Sequence, residues 1–347
     1  MTATTATKNT VLVTGGTGFV ASHCILQLLQ QGYPVKTTIR SLSRKDDVLA
    51  MMREGGITAP NHLEFVEADL NSDAGWNQAV AGCQYVLHVA SPIGHGPKDE
   101  NEMIRPAVDG TLRVLKAARD AGVKRVVITS NFGAVGFSHT DTSKVITEEN
   151  WTDPNEKNLS TYNKSKVLAE RAAWDFIKRE GGELELVAIN PTAVFGPALN
   201  AGTSGNYLLK TLLNGSMKRV PNITLGIADV RDVADLHIRA MINPQAAGER
   251  FLALSGVITS LPEIAQLFKD RLGPAAHKVS TKRLPDWVIK IAALFNAQAR
   301  EVVPLLSRYR EASNAKARKI LGWQPRSNEQ TLLATAESLI KFGDIPA

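Results

Sequence analysis

The sequence predicts an α/β protein, in which a doubly wound parallel sheet is followed by a smaller C-terminal α/β lobe. Over residues 1–190, short β-branched runs alternate with longer amphipathic segments, and such alternation requires crossovers that bury a parallel sheet. Beyond Pro191 the alternation loosens, because Gly, Pro and Asn interrupt the chain. We therefore expect one domain over residues 1–190, with its core from about residue 10. Residues 191–347 are expected to form a second lobe, parts of which return to the first domain.

The order of the predicted elements follows from the lengths and periods of the hydrophobic segments. The β-branched runs predict strands at Thr10–Val13, Val35–Arg40, Leu63–Glu67, Tyr85–Val89, Arg125–Thr129 and Leu184–Asn190. The amphipathic segments between them predict helices at Gly18–Gln31, Arg44–Glu54, Trp76–Ala81, Glu100–Ala121 and Ser160–Glu180. In the second lobe we expect helices at Tyr207–Asn214, Ser313–Leu321 and Glu329–Phe342, and strands near Ile223–Gly226 and Arg250–Leu254. The long polar loop Phe132–Asn158 has the length of a functional loop.

Composition excludes several classes of protein. Hydrophobic residues make up 44% of the chain, enough for a real core, yet no apolar run has the length of a membrane span. The start, Met1–Thr10, lacks the apolar stretch of a signal peptide, and two cysteines, Cys24 and Cys83, suit buried positions in a reducing cytoplasm. The net charge of +6 comes from basic residues interleaved with acidic ones. That pattern indicates a pocket for a phosphorylated ligand rather than nucleic-acid binding. We expect no membrane partner and a monomer or homodimer.

A glycine-rich string, Thr14–Ala21, lies where a predicted strand ends and a predicted helix begins. Glycine permits a tight turn there and lets a phosphate approach the backbone without meeting a Cβ. The helix N-terminus offers unpaired N–H groups and the positive end of its dipole. This context predicts a Rossmann-type dinucleotide site, with a turn that binds no ligand as the alternative. The expected cofactor contacts are Gly15, Thr17, Gly18, Phe19 and Val20.

The end of the second strand indicates which dinucleotide binds. NAD sites usually carry an Asp or Glu about twenty residues after the glycines, but here Arg40 holds that place and Arg44 follows it. A guanidinium can bind a 2′-phosphate through paired hydrogen bonds, whereas a carboxylate would repel it. NADP(H) is therefore the predicted cofactor, unless these charges simply face solvent, a reading that fits Lys45 better than Arg40. Asp69 and Leu70 are expected at the adenine edge, although Asp69 would equally serve as a helix cap.

The string Tyr162-Asn163-Lys164-Ser165-Lys166 places a phenol and an ammonium four residues apart, on one face of a predicted helix. A free phenol titrates near ~10 and is a poor acid–base group at neutral pH. The Lys166 ammonium and the charge of oxidised nicotinamide would lower the pKa of Tyr162. The spacing therefore indicates a proton donor, and the alternative is a half-buried tyrosine beside a surface lysine.

These residues together resemble the extended branch of the short-chain dehydrogenase/reductase superfamily. Within that branch the chain is similar to dihydroflavonol reductases, cinnamoyl-CoA reductases and microbial aldehyde and methylglyoxal reductases. The resemblance covers residues 11 to about 325. The matching strings are His88–Pro92, Pro106–Thr111, Asn190–Pro197, Asp229–Ala234 and Leu321–Trp323.

The resemblance implies the reduction of a small aldehyde or ketone by NADPH. It implies that Tyr162 donates the proton and that Lys166 supports it and contacts the nicotinamide ribose. Five further residues are placed at the nicotinamide by the same resemblance: Val89, Ala90, Ser91, Pro191 and Val194.

One position departs from the family pattern. The family usually carries its catalytic Ser as the second serine of a Thr-Ser-Ser string, and aligning the following Gly and Val puts Asn131 at that position. Ser130 should face the opposite way because side chains alternate along a strand, so it cannot take over that role without a register slip or a twist at the strand end. The Asn131 amide keeps a hydrogen-bond donor and could polarise a carbonyl, but it cannot relay a proton. Our hypothesis is an active enzyme in which Asn131 orients the carbonyl.

The substrate region and the alternatives to a reductase follow from weaker signals. Candidate substrate-lining segments are Ile93–Pro97, Phe132–Asp141 and Ala198–Tyr207; His95 and His139 stand in polar loops without metal-ligand spacing, so no metal is expected. One alternative is an epimerase or dehydratase of nucleotide sugars, which Arg40 and the reductase-like His88–Pro92 disfavour. The other is a protein that senses NADP(H) without turnover. The Asn at 131 permits this alternative, while the intact Tyr162/Lys166 pair disfavours it.

Overall fold

The computed structural model describes residues 8–92, 99–139, 141, 143–157, 159–202, 204–296, 299, 302–306 and 311–345. Each predicted segment overlaps an observed element. The strands are β1 Val11–Val13, β2 Val35–Ile39, β3 Leu63–Glu67, β4 Tyr85–His88, β5 Arg125–Thr129, β6 Glu185–Pro191, β7 Ala193–Phe195, β8 Val220–Pro221, β9 Thr224–Asp229, β10 Arg250–Ala253, β11 Ile258–Ser260 and β12 Arg283–Leu284. Helices of the described residues are α1 Phe19–Gln30, α2 Lys45–Glu54, α3 Trp76–Val80, α4 Asn101–Asp120, α5 Gly133–Gly136, α6 Thr161–Glu180, α7 Tyr207–Leu213, α8 Val230–Ile242, α9 Leu261–Arg271, α10 Asp286–Ala292, α11 Ala315–Leu321 and α12 Asn328–Lys341.

The central sheet has seven strands in the order β10-β6-β5-β4-β1-β2-β3. The pairs from β3 through β6 are parallel, and Val11 of β1 pairs with Val35 on one side and Tyr85 on the other. The chain winds from β1 outward to β3, returns to the far side of β1 as β4, and continues outward to β6. The winding direction therefore reverses between β1 and β4, and at such a switch point the loops after the two strands diverge and leave a crevice. The predicted fold class is confirmed.

The chain divides into two compact units. Unit 1 comprises Met1–Ser130, Leu168–Ile189 and Ala234–Arg250, and unit 2 comprises Asn131–Val167, Asn190–Val233 and Phe251–Ala347. A core in unit 1 packs the sheet against α3, α4 and α6, with Leu12, Val86, Val126, Leu115 and Phe176 among its buried side chains. A separate core in unit 2 gathers Leu209, Ile227, Phe268, Leu332 and Leu339.

Two smaller findings bear on the composition argument. Both cysteines are buried and free of disulfides, as expected. Burial raises the pKa of the Cys83 thiol to about 11 and raises that of Cys24 as well, so neither sulfur is a thiolate at neutral pH. Among the helices of the described residues, none combines the length and the hydropathy that crossing a bilayer requires.

Candidate functional site

The glycine-rich turn connects β1 to α1 at the switch point of the sheet. The helix begins after Gly18, whose extended backbone forms the N-cap, and no side chain of the described residues caps it. Its first turn also carries no acidic residue, so its N–H groups and dipole are open to an anion. The residues predicted to contact a cofactor are all half-exposed or exposed, and they are Gly15, Thr17, Gly18, Phe19 and Val20. Their neighbours Thr14, Gly16 and Ala21 are buried. Solvent access therefore separates the predicted contacts from the residues that support them.

Thr14 connects the ends of β1 and β4. Its fully buried hydroxyl oxygen accepts hydrogen bonds from the backbone N–H groups of Val89 (3.0 Å) and Ala90 (2.9 Å). The same oxygen lies 3.0 Å from Nδ1 of His88. One side chain thus fixes the path of the two half-exposed residues that the sequence placed at the nicotinamide.

The glycines of the turn are required by close packing. Gly15 has φ of +75°, and a Cβ there would lie 3.0 Å from the Cβ of Ala90. A Cβ on Gly16 would lie 2.4 Å from the hydroxyl oxygen of Thr37 on β2. The turn is also bonded to β2, because Thr38 accepts the Gly15 N–H at its hydroxyl (3.0 Å) and the Gly16 N–H at its carbonyl (2.9 Å). The conformation of the turn is therefore fixed by bonds and packing within the protein itself.

The two arginines after β2 differ in their surroundings. Arg40 is exposed, and its guanidinium pairs with no residue of the described ranges. Arg44 donates from Nη1 to the hydroxyl of Thr17 in the glycine turn (3.3 Å) and from Nε to Asp47 (3.0 Å). The structure thereby brings together two predictions made from separate parts of the sequence, the turn and the basic segment. Their arrangement fits a ligand that carries phosphate at both places.

Asp69 and Leu70 follow β3, where the adenine edge was expected. Asp69 does not cap a helix, because α3 begins after Gly75, so that alternative is wrong. Its Oδ1 instead accepts the backbone N–H (2.8 Å) and the side-chain N–H (3.0 Å) of Asn71. Leu70 packs against Gly110 of α4, whose absent Cβ would lie 2.8 Å from the Cβ of Leu70. Both residues are half-buried, and the bonds between Asp69 and Asn71 hold the turn that contains Leu70.

Tyr162 and Lys166 lie on the first turns of α6, one helical turn apart. The Tyr162 side chain is 37% exposed and Lys166 is 6% exposed. The Lys166 Nζ lies 6.0 Å from the centroid of the phenol ring. Desolvation raises the pKa of Tyr162 above its ordinary value, which is opposite in direction to our expectation. A phenol whose pKa is raised keeps its proton at neutral pH.

Asn131 lies just beyond the end of β5, at the start of the turn that leads into α5. Its Nδ2 donates to Oδ1 of Asn163 (2.9 Å), and its Oδ1 accepts the backbone N–H of Ala134 (3.1 Å). The side chain is half-buried. Ser130 is 5% exposed, and its hydroxyl has no hydrogen-bond partner among the residues that the structure describes. The two neighbours thus occupy different environments, as strand alternation predicts.

The remaining predicted residues are placed with less detail. Ser91 and Val194 are half-exposed, whereas Pro191 is buried and its carbonyl accepts the N–H of Phe132 (2.8 Å). His139 contacts the carbonyl of Lys144 through Nε2 (3.2 Å). The segment Ile93–Pro97, with His95, lies outside the described residues, as do Thr140 and Thr203 in the two other candidate segments. No group of three or more His, Cys, Asp or Glu side chains within the described ranges has the arrangement of a metal site.

Three residues with clear roles in this geometry were not predicted from the sequence. Thr14 holds the backbone of Val89 and Ala90, Thr38 holds the glycine turn, and Asn163 holds the amide of Asn131. A threonine at the end of each of two adjacent parallel strands is a signal for the first two, because such ends lie side by side. Asn163 has no comparable signal, since only the fold brings it to Asn131.

Comparison with known proteins adds four findings. The family model described as the NAD dependent epimerase/dehydratase family matches residues 11–252. Cinnamoyl-CoA reductase 1 of Arabidopsis thaliana is 36% identical over 298 residues, covering 80% of this chain and 83% of that protein. An anthocyanidin reductase of Vitis vinifera is 34% identical over 281 residues, covering 76% and 81%. The crystal structure of Gre2 in complex with NADPH, from Candida albicans, superposes with a TM-score of 0.80 at 28% identity, covering 96% of this chain and 99% of that one.

Proposed function

The chain belongs to the NAD-dependent epimerase/dehydratase family, and from that membership we propose that it is an NADPH-dependent reductase that converts aldehydes or ketones to alcohols. Relatives that carry reductase names support this choice within the family. The observation that carries the proposal is the Tyr162/Lys166 pair on one face of α6, with the phenol protonated at neutral pH.

The residues of unit 1 fit NADP(H). The pyrophosphate would fit at the uncapped N-terminus of α1. The preceding turn has no room for a Cβ at position 15, so its backbone is open to a phosphate. Arg44, bonded to Thr17 of that turn, and the exposed Arg40 suit the 2′-phosphate. The crystal structure of Candida albicans Gre2, 28% identical to this chain, is that of a complex with NADPH. When bound, NADPH supplies a hydride to the carbonyl carbon.

The protein's own contribution is to polarise the carbonyl and to deliver a proton. Tyr162 donates its hydroxyl proton to the carbonyl oxygen as that oxygen gains negative charge. Lys166, almost fully buried one turn along α6, stabilises the phenolate that results. Asn131 donates an N–H to the same oxygen, in the way that an oxyanion hole does. The reverse reaction, alcohol oxidation, would use the same groups with the phenolate as base.

A steady-state assay of NADPH oxidation with a small panel of aldehydes and ketones tests the proposal. Turnover that requires a carbonyl supports it. Tight NADPH binding without turnover of any carbonyl would instead support a sensor, and conversion of a nucleotide sugar without net NADPH use would support an epimerase. Tyr33→Phe is a matched control for Tyr162→Phe, because Tyr33 lies in the loop before β2 and its hydroxyl has no part in the proposed chemistry.

A further inference from the structure

We propose that Asn163, the residue directly after Tyr162, is a positioning residue that holds the side-chain amide of Asn131 in its productive orientation. The inference rests on the proposed function, in which Asn131 donates a hydrogen bond to the substrate carbonyl. The family pattern has a serine in place of Asn131, so an amide donor at this position needs support that a serine hydroxyl does not.

Two hydrogen bonds of opposite polarity fix the orientation of the Asn131 amide. Its Nδ2 donates to Oδ1 of Asn163 at 2.9 Å, and its Oδ1 accepts the backbone N–H of Ala134 at 3.1 Å. Rotating the amide by half a turn would put oxygen against oxygen and donor against donor, which loses both bonds. An amide nitrogen carries two hydrogens. The second N–H of Asn131 has no acceptor among the described residues, so it remains for a ligand.

The backbone of Asn131 is held independently of Asn163. Nδ2 of the buried Asn190 donates to the Asn131 carbonyl at 3.2 Å, and the next N–H, that of Phe132, donates to the carbonyl of Pro191 at 2.8 Å. The chain therefore enters and leaves position 131 along a fixed path. What is left to specify is the side-chain torsion, and its terminal amide torsion is intrinsically broad. Asn163 supplies the acceptor that selects one setting.

Gly133 provides the space in which the two asparagines meet. A Cβ at this position would lie 2.2 Å from Oδ1 of Asn163 and 3.0 Å from Oδ1 of Asn131. The backbone of Gly133 has no positive φ that would require glycine, so the requirement comes from the two side chains. A glycine that is needed only by this contact supports the view that the pair acts as a unit.

The chemical reason for the pair lies in the difference between a hydroxyl and an amide. A serine hydroxyl sits on one torsion and can rotate its proton toward any acceptor. An asparagine reaches further, and its donor is displaced whenever the amide rotates. A displacement of about 1 Å in a catalytic group costs up to roughly a hundredfold in rate. Removing the Asn163 acceptor should therefore lower kcat without affecting NADPH binding.

A double-mutant cycle tests the inference with the full chain and an aldehyde found in the panel above. The variants are Asn163→Ala, Asn131→Ser and the double variant. For each we would measure kcat, KM for the aldehyde, the dissociation constant of NADPH and the urea midpoint of unfolding. In the parent, Asn163→Ala should lower kcat by about tenfold or more with NADPH affinity unchanged. In the Asn131→Ser background the same change should alter kcat by less than about threefold, because the serine needs no acceptor.

Two results would overturn the inference. An equal loss of kcat in both backgrounds would mean that Asn163 acts on Tyr162 or on the substrate rather than through Asn131. An unchanged kcat in both backgrounds, whether or not the urea midpoint falls, would leave the contact a purely structural one. Failure of the parent protein to reduce any carbonyl would overturn the proposed function as well, and that result is visible before any variant is made.

Discussion

Thr14→Val removes a single buried oxygen at the switch point between β1 and β4 while preserving the shape of the side chain. That oxygen accepts the N–H groups of Val89 and Ala90, and it is 0% exposed, so water cannot replace it. Each buried N–H left without an acceptor costs about 1–3 kcal/mol. The Val89 N–H keeps a second acceptor, the Leu87 carbonyl at 3.1 Å, so only the Ala90 N–H loses its acceptor. We therefore expect a loss of about 1–3 kcal/mol in the free energy of unfolding. The freed backbone of 89 and 90 should also shift, which should weaken NADPH binding.

Urea denaturation followed by fluorescence measures the stability change, and titration with NADPH measures the affinity. Thr111→Val is the matched control, because the Thr111 hydroxyl is similarly buried but only donates to the carbonyl of Ala107 within α4. Its loss leaves no buried N–H unsatisfied, so we expect a change of at most about 1 kcal/mol. The reasoning is refuted if Thr14→Val is no less stable than Thr111→Val, or if it binds NADPH as tightly as the parent does.

Three further predictions follow from the site. Arg40→Ala and Arg44→Ala should each raise the dissociation constant of NADPH by roughly 10–100-fold, which corresponds to the loss of a charge-assisted hydrogen bond. In parallel titrations the dissociation constant of NADH should stay unchanged. An equal loss of affinity for both dinucleotides would contradict the assignment of these arginines to the 2′-phosphate. Because desolvation raises the pKa of Tyr162, kcat for reduction should stay flat through neutral pH and fall only as pH rises through that raised pKa, and a fall on the acid side of neutrality would argue against a protonated donor. Gly133→Ala places a Cβ 2.2 Å from the Asn163 amide and should lower kcat by about tenfold or more, as we expect for Asn163→Ala. A Gly133→Ala variant with the kcat of the parent would contradict the claim that Asn131 and Asn163 act as a pair.

The fold could be predicted well because local signals agreed with one another. The strands Leu63–Glu67 and Arg125–Thr129 were predicted with their observed bounds, and the second of them is a buried β-branched run. The short helix Gly133–Gly136 inside the long polar loop was not predicted. Its two glycines oppose a helix on propensity alone. The Asn131 side chain accepts the Ala134 N–H within that turn, and the bond from Asn131 to Asn163 joins residues 32 positions apart, which only the folded chain brings together.

The candidate site could be predicted from the sequence only where chemistry is local. The accessible residues of the glycine turn and the Tyr162/Lys166 spacing were both recognisable, because a turn and a helix fix their neighbours. The desolvation that raises the pKa of Tyr162 was not foreseen, because burial is a property of the fold and cannot be read from the spacing. The Arg44–Thr17 contact joins residues 27 positions apart, and its geometry depends on how β2 aligns beside β1.

The most direct test of the central claim is a single-turnover experiment on the Tyr162→Phe variant with NADPH bound. An aldehyde is added, and the oxidation of NADPH is monitored as a loss of cofactor fluorescence. The account predicts that the variant binds NADPH as tightly as the parent does, and that its single-turnover rate falls by about a hundredfold or more while Tyr33→Phe retains the parental rate. A parental rate in Tyr162→Phe would contradict the claim that this phenol delivers the proton.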